Sequence, residues 1–334
     1  MKKLISLVLA LTMALTMGLS AASAEKASIR VGMVTDVGGV NDQSFNQLAW
    51  EGLKALHEED PSIEVQYLES KTDADYQTNI NTFIDEGYDL IISVGYMLAE
   101  ATREAALDNP DQLFAILEDE SNADLPNVAC LMFAQEQAGY LVGLVAGSVT
   151  KTKIVGYVQG MVSENMNRFG VGFVTGVKEA CPDATIEQYN ANSFTDIAGG
   201  NTAAKEMITK GADVIFHAAG STGMGVINAC DEAGIWAIGV DTDQSILAPD
   251  HVITSVVKRV DVASQDITRA VKAETFTPGV HVYDLSNGAI DLAPTRTHLP
   301  EEVLKIVEDA KAAFIAGEKT IPTKAEDCPD FILK

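Results

Sequence analysis

Apolar strand patterns and amphipathic helix patterns alternate along almost the whole chain, and that alternation restricts the fold more than any single motif. Residues 29–34 read as a strand. The segment from Ser44 reads as a helix with Phe45, Leu48, Ala49, Leu53 and Leu56 on one face. Strands are predicted at 63–68, 90–94, 113–117 and 128–133, then at 154–158, 185–189, 214–218, 236–240 and 253–257. Helices lie between them, the last at 260–275. Several strands are apolar without strict period-two alternation, which suits sheets buried on both faces. Strand-helix alternation of this kind builds parallel sheets covered by helices.

The pattern also repeats. Gly87-Tyr88-Asp89-Leu90-Ile91-Ile92 resembles Gly211-Ala212-Asp213-Val214-Ile215-Phe216, and each run leads into a helix. Phe114-Ala115-Ile116-Leu117-Glu118-Asp119 then matches Trp236-Ala237-Ile238-Gly239-Val240-Asp241, which pairs Asp119 with Asp241. Two halves built on one plan imply two similar lobes. The 334 residues suffice for about two domains, and at 47 % apolar content they can fill two cores.

The start of the chain reads as an export signal. Lys2 and Lys3 precede an apolar run from Leu4 to Leu19, and Ala22-Ser23-Ala24 has the small-x-small form of a cleavage site. Cleavage is expected after Ala24. Ala22 follows Leu19-Ser20-Ala21 where a lipidation signal would carry a cysteine, so the exported protein is expected to be unlipidated. Residues 138–149 are apolar but too short to cross a bilayer. The net charge of -25 and pI near 4.4 disfavour nucleic acid and anionic membranes as partners. Cys130, Cys181, Cys230 and Cys328 form no CxxC pair. Export permits disulfides, but the sequence does not choose a pairing. Five histidines are scattered without metal-ligand spacing, and GxSxG and HExxH are absent, so no metal, cofactor or catalytic nucleophile is expected.

In open α/β sheets, ligands bind outside the carboxyl ends of the strands. Two lobes facing each other would bring both sets of strand ends to one cleft. The unusual groups sit there: Asp36 after the first strand, Glu118 and Asp119 after the fourth, then Gly220, Asp241 and Lys258 in the second half. The turn T-D-V-G-G-V-N-D-Q-S-F carries more than a connection needs. Asn41, Asp42 or Ser44 can cap the helix, but capping leaves Asp36 unexplained. Phe45 is either a core residue or a cleft residue. Phe194, in Asn190-Ala191-Asn192-Ser193-Phe194, takes a similar place in the second half. One ring from each lobe can sandwich a flat heteroaromatic ligand. Gly220-Ser221-Thr222-Gly223 lacks the basic company a phosphate needs, so a neutral polar ligand suits it better. Asp241 can accept from the paired hydroxyls of a ribose. Lys258 either reaches the cleft, where it can pair with Asp241, or lies solvated on the rim.

The segment T-D-V-G-G-V-N-D-Q-S-F-N-Q resembles the hallmark of the basic membrane protein, or purine-nucleoside receptor, family of substrate-binding proteins for ABC transporters. Matches follow in order at F-A-I-L-E, the run 133–139, R-F-G-V-G-F, D-V-I-F-H-A-A-G, A-I-G-V-D-T-D-Q and T-S-V-V-K-R-V-D-V-A. The resemblance implies a type I periplasmic-binding-protein-like α/β fold, with parallel-sheet lobes flanked by helices and joined by crossover segments. Residues 25–135 plus 258–278 are expected to form one lobe, and 136–257 plus 279–334 the other. It further implies a monomeric, non-enzymatic receptor that closes on a purine nucleoside and delivers it to a permease in the cytoplasmic membrane. A free base, another nucleoside or a sugar as ligand, or an exported nucleoside hydrolase, are the alternatives. By the same resemblance Phe45 and Phe194 hold the base, Asp36 and Asn46 make polar contacts, Asp241 and Lys258 hold the ribose, and Gly220 offers a backbone contact. The family pattern selects Glu118 where the internal repeat selects Asp119, and both remain candidates.

Overall fold

The computed structural model describes residues 26–333, and the expected leader at 1–24 lies outside the described residues. The strands form two six-stranded sheets. The first runs β11 (Gly279–Tyr283), β5 (Val128–Phe133), β4 (Leu113–Leu117), β3 (Leu90–Val94), β1 (Ile29–Thr35), β2 (Ile63–Leu68). The second runs β12 (Ile290–Leu292), β10 (Val252–Lys258), β9 (Trp236–Asp241), β8 (Val214–Ala218), β6 (Ile154–Gln159), β7 (Thr185–Asn190). The two orders are the same, strand for strand, as the internal repeat requires. All pairings are parallel except that of β10 with β12.

Central strands β3, β5 and β8 are buried along their full length, whereas β2 and β7 at the sheet edges are only partly covered. This explains why apolar runs mark the middle of each sheet. Helices α1 (Phe45–Glu59), α2 (Asp75–Asp85) and α3 (Ala99–Asp108) belong to the first lobe. Helices α5 (Glu164–Ala180), α6 (Ile197–Thr209) and α7 (Thr222–Ala233) repeat them in the second.

The lobes exchange one helix each. After β5 the chain leaves its sheet, and α4 (Gln135–Val149) packs along α5 in the second lobe. After β10 it returns, and α8 (Val260–Lys272) packs against α1 in the first. The α4–α5 contact is close because glycines line it. A Cβ on Gly139 would lie 2.1 Å from the Phe169 carbonyl oxygen, and one on Gly172 would lie 2.0 Å from that of Glu136. This fixes the height of α5, whose first turns reach the cleft. Beneath them Phe216 stacks on Tyr157 at 5.6 Å and meets Phe173 at 5.2 Å.

The third crossover departs from the expected division. Residues 279–334 are expected in the second lobe, but β11 adds to the first sheet beside β5 before β12 joins the second. Helix α9 (Glu301–Ile315) follows. Strand β11 is hard to read because its apolar residues face outward: Val280 and Val282 are 46 % and 57 % exposed. All four cysteines are free thiols, and Cys130 is fully buried in β5. Among the described residues no helix is long and apolar enough to cross a membrane.

Candidate functional site: the cleft between the lobes

The carboxyl ends of both sheets meet at one cavity, with about 550 Å³ of empty space, open solvent at its mouth included. From the first lobe, Asp36, Phe45, Asn46, Gly95, Tyr96 and Glu118 line it. Met166, Phe169, Phe194, Gly220, Asp241 and Lys258 line it from the second.

The turn after β1 divides its labour. Asp42 is the helix cap: its carboxylate accepts the backbone N–H groups of Ser44, Asn46 and Gln47 at 2.9, 2.8 and 3.1 Å. The Ser44 hydroxyl does not cap. It crosses the cleft and donates to Asp241. Asp36 is thereby free for the site, held by the Gly38 N–H and the Asn46 amide, both at 2.8 Å. Burial pushes its pKa up to about 6, the two hydrogen bonds oppose this, and the charges of Asp42 and Glu118 add to it. Asn46 also bonds Asp42, so it orients both acids. Gly95, at φ 108°, is needed for close approach. A Cβ there would sit 3.2 Å from Asp36 Oδ2 and 3.6 Å from the Phe45 ring.

Two carboxylates end equivalent strands. Glu118 follows β4 with φ 63°, and Asp241 ends β9 with φ 67°. Both are left-handed, an uncommon state for residues with a Cβ. The shared kink aligns Asp241 with Glu118, one residue away from the register of the sequence repeat. Asp119 consequently falls outside the cavity. It is half-buried, accepts from Ser121, and faces a neighbouring vestibule with Glu120, Glu164 and Arg168.

Lys258, only 2 % exposed, serves both kinked acids. Its ammonium contacts Glu118 and lies 3.1 Å from Asp241 Oδ1. It also lies 4.5 Å from the centre of the Phe45 ring and 5.4 Å from that of Phe169. Burial works against the charge, but Asp241 and Glu118 outweigh it and leave the pKa above its ordinary value. The rim reading of Lys258 is therefore wrong, because its strand is central and its end is buried.

Phe194 comes from the β7–α6 loop. That loop is held by Ser193 N–H on the Gly160 carbonyl and by Thr222 N–H on the Phe194 carbonyl, at 2.8 and 3.1 Å. Its ring lies over Gly160, where a Cβ would be 2.3 Å away. Gly220, at φ 53°, supports the same loop. Tyr96, Met166 and Phe169 escaped the sequence reading. Tyr96 follows Gly95 in the turn that matches Gly220-Ser221, and Met166 and Phe169 open the helix equivalent to the one Phe45 opens. The equivalence of these elements follows from the shared sheet order, since the short repeats in the sequence cover neither helix. Among the described residues no group of three or more His, Cys, Asp or Glu side chains is placed to hold a metal ion. What the cleft offers is aromatic surface, buried hydrogen-bond acceptors and one neutralised cation.

Residues 29–324 match the model of a family described as Bmp, the PnrA-like ABC transporter substrate-binding proteins. The chain belongs to this family. The PnrA-like chain is 40 % identical over 315 residues to the CD4+ T-cell-stimulating antigen of Listeria monocytogenes, with 88 % of each chain covered. It is 36 % identical over 320 residues to the ABC transporter nucleoside-binding protein BmpA of Lactococcus lactis, with 90 % of each covered. Its fold is similar to that of an ABC transporter solute-binding protein from Aeropyrum pernix K1, with TM-score 0.81 and 26 % identity. That likeness covers 89 % of this chain and 95 % of the other. Type I two-lobed architecture and substrate binding for an ABC transporter are thus properties of this PnrA-like protein.

Proposed function

We propose that this protein binds a purine nucleoside of the guanosine, inosine or adenosine type between its lobes, outside the cytoplasm, and delivers it unchanged to an ABC permease. The carrying observation is that Phe45 and Phe194, one ring from each lobe, line the same cavity as the Asp241–Lys258 pair. Rings suit the base and a buried carboxylate suits the ribose hydroxyls. The lining holds Asp36, Asp42, Glu118 and Asp241 against the single cation Lys258. This balance repels a phosphate and favours the nucleoside over its nucleotide. The likeness to the nucleoside-binding protein of Lactococcus lactis supports the same ligand class. In this reading the protein acts as an unlipidated monomer and performs no catalysis.

Calorimetry with guanosine, inosine, adenosine, their monophosphates, free bases and ribose tests the proposal. Nucleosides bind, while monophosphates and ribose do not, and chromatography recovers the nucleoside intact. Preferential binding of ribose or a monophosphate, or release of free base from inosine, overturns it.

A further inference from the structure

Two side-chain amides of the second lobe cross the cleft without lining the ligand cavity. Gln244 Nε2 donates to the Gln43 carbonyl at 3.0 Å. Asn165 Nδ2 donates to the Glu118 carbonyl. The two acceptors are alike: Gln43 and Glu118 are both left-handed, at φ 55° and 63°. Neither amide borders the cavity that holds Phe45 and Phe194.

We propose that Gln244 and Asn165 form a two-point clasp that sets the lifetime of the closed state without touching the ligand. Gln244 is held by bonds within its own lobe, and Asn165 is carried into place by its capped helix. Gln244 is 1 % exposed; its Oε1 accepts the Val240 N–H at 2.9 Å and its own N–H donates to Ser255 Oγ at 3.0 Å. Gly239 leaves it room, since a Cβ there would lie 2.7 Å from Gln244 Oε1. Asn165 sits in the first turn of α5, capped by Ser163 and set against the glycine-lined face of α4. The receivers are fixed too: the Glu118 N–H is held by the Leu131 carbonyl at 2.9 Å, and the Gln43 N–H by Gln47 at 3.2 Å. Opening the lobes parts both pairs together. Preset donors facing preset acceptors lose little entropy on closing, so the bonds act mainly on the closed state. Gln244 and Asn165 are positioning residues, and their effect falls on dissociation.

This inference takes nucleoside binding as proposed above, but one arm of its test needs no ligand. Gln244→Glu and Asn165→Asp keep size and the acceptor oxygen and, when ionised at pH 8, replace the donated N–H with an anion facing a carbonyl, so each loses the bond and adds repulsion. Stopped-flow release of the tightest-binding nucleoside should quicken about three- to tenfold in each variant, with the association rate unchanged and the effects multiplying in the double variant. Fluorescence transfer between one dye on each lobe, without ligand, should show a smaller closed fraction in the double variant than in wild type. An unchanged dissociation rate in the double variant overturns the clasp, as does an unchanged interlobe distance distribution. If wild type binds no nucleoside, the nucleoside reading falls and the distance arm alone decides the clasp. Gln244→Ala serves as a structural control. It strands the Val240 N–H but buries no charge, so quicker release shared by Gln244→Ala and Gln244→Glu reports the lost interlobe bond and not the added carboxylate.

Discussion

The two lobes share a sheet order and a kinked carboxylate at the end of the equivalent strand, yet their faces of the cleft are electrostatically different. The second lobe pairs its acid, Asp241, with Lys258 from the neighbouring strand. In the first lobe the neighbouring strand β5 ends in Phe133, and Asp36, Asp42 and Glu118 gather without a cation of their own. Lys258 reaches across to supply one. Buried ionised groups cost several kcal/mol unless partnered. The first lobe's face is therefore completed only when the second lobe meets it. A duplicated fold has become a site by leaving one half unbalanced.

The comparison is broken most directly at Lys258. Lys258→Met removes the one cation serving acids in both lobes and leaves Glu118 and Asp241 buried against an apolar chain. Loss of one partner from a buried pair costs about 3–5 kcal/mol. Thermal unfolding should fall by many degrees and nucleoside binding should vanish. A melting temperature within two or so degrees of wild type would show that the acids have another source of compensation.

Asp36 probes the unbalanced side alone. Its folded pKa is raised to about 6 from 3.8, so the unfolded chain releases this proton first. Between roughly pH 4 and 6 the folded state binds more protons, and stability falls as pH rises through that window. The loss is complete above about pH 6 and disappears below about pH 4. Its size is on the order of 2–3 kcal/mol. Asp36→Asn cancels the effect, so denaturant titrations should show wild type losing stability relative to the variant from pH 4 to 6. A difference that does not vary with pH would remove the raised pKa.

How much of this was readable beforehand follows from where each signal lies. Apolar runs revealed the central strands because both their faces are covered. The outward valines of β11 concealed the third crossover. Phe45 and Phe194 stood out only as a pair, one ring in a strand-to-helix turn of each lobe, whereas Phe169 was masked by the ordinary helix pattern of its neighbours. The capping role of Asp42 could not be separated from those of Asn41 and Ser44, since all three side chains suit a cap. The helix exchange is carried by the family resemblance, whose bounds put residues 136–149 in the second lobe and 258–278 in the first, and not by composition, because α4 and α8 are good packing helices for either lobe.

The rings sharpen the comparison at a third point, since here the two faces should contribute alike. Phe45→Ala and Phe194→Ala should each weaken nucleoside binding by about 1–3 kcal/mol, the range for truncating a ring beneath a stacked base. Calorimetry on both variants is the check. A loss confined to one of them would replace the sandwich with a single platform.

The smallest expected effect decides the register of the repeat. Sequence similarity pairs Asp241 with Asp119, but backbone conformation pairs it with Glu118, because those two residues share the left-handed kink that turns a strand end into the cleft. A kink is a stronger criterion than a matching letter here, since it determines which side chain faces the cavity. Glu118 contacts Lys258, while Asp119 only secures the turn to Ser121. Asp119→Asn should therefore change nucleoside affinity by less than about twofold, the usual reach of a partly exposed polar swap. Glu118→Gln, which deprives Lys258 of one of its two charges, should change it about tenfold. If instead Asp119→Asn weakens binding tenfold and Glu118→Gln does not, the lobes are related by the register of their letters, and the shared kink has no part in the site.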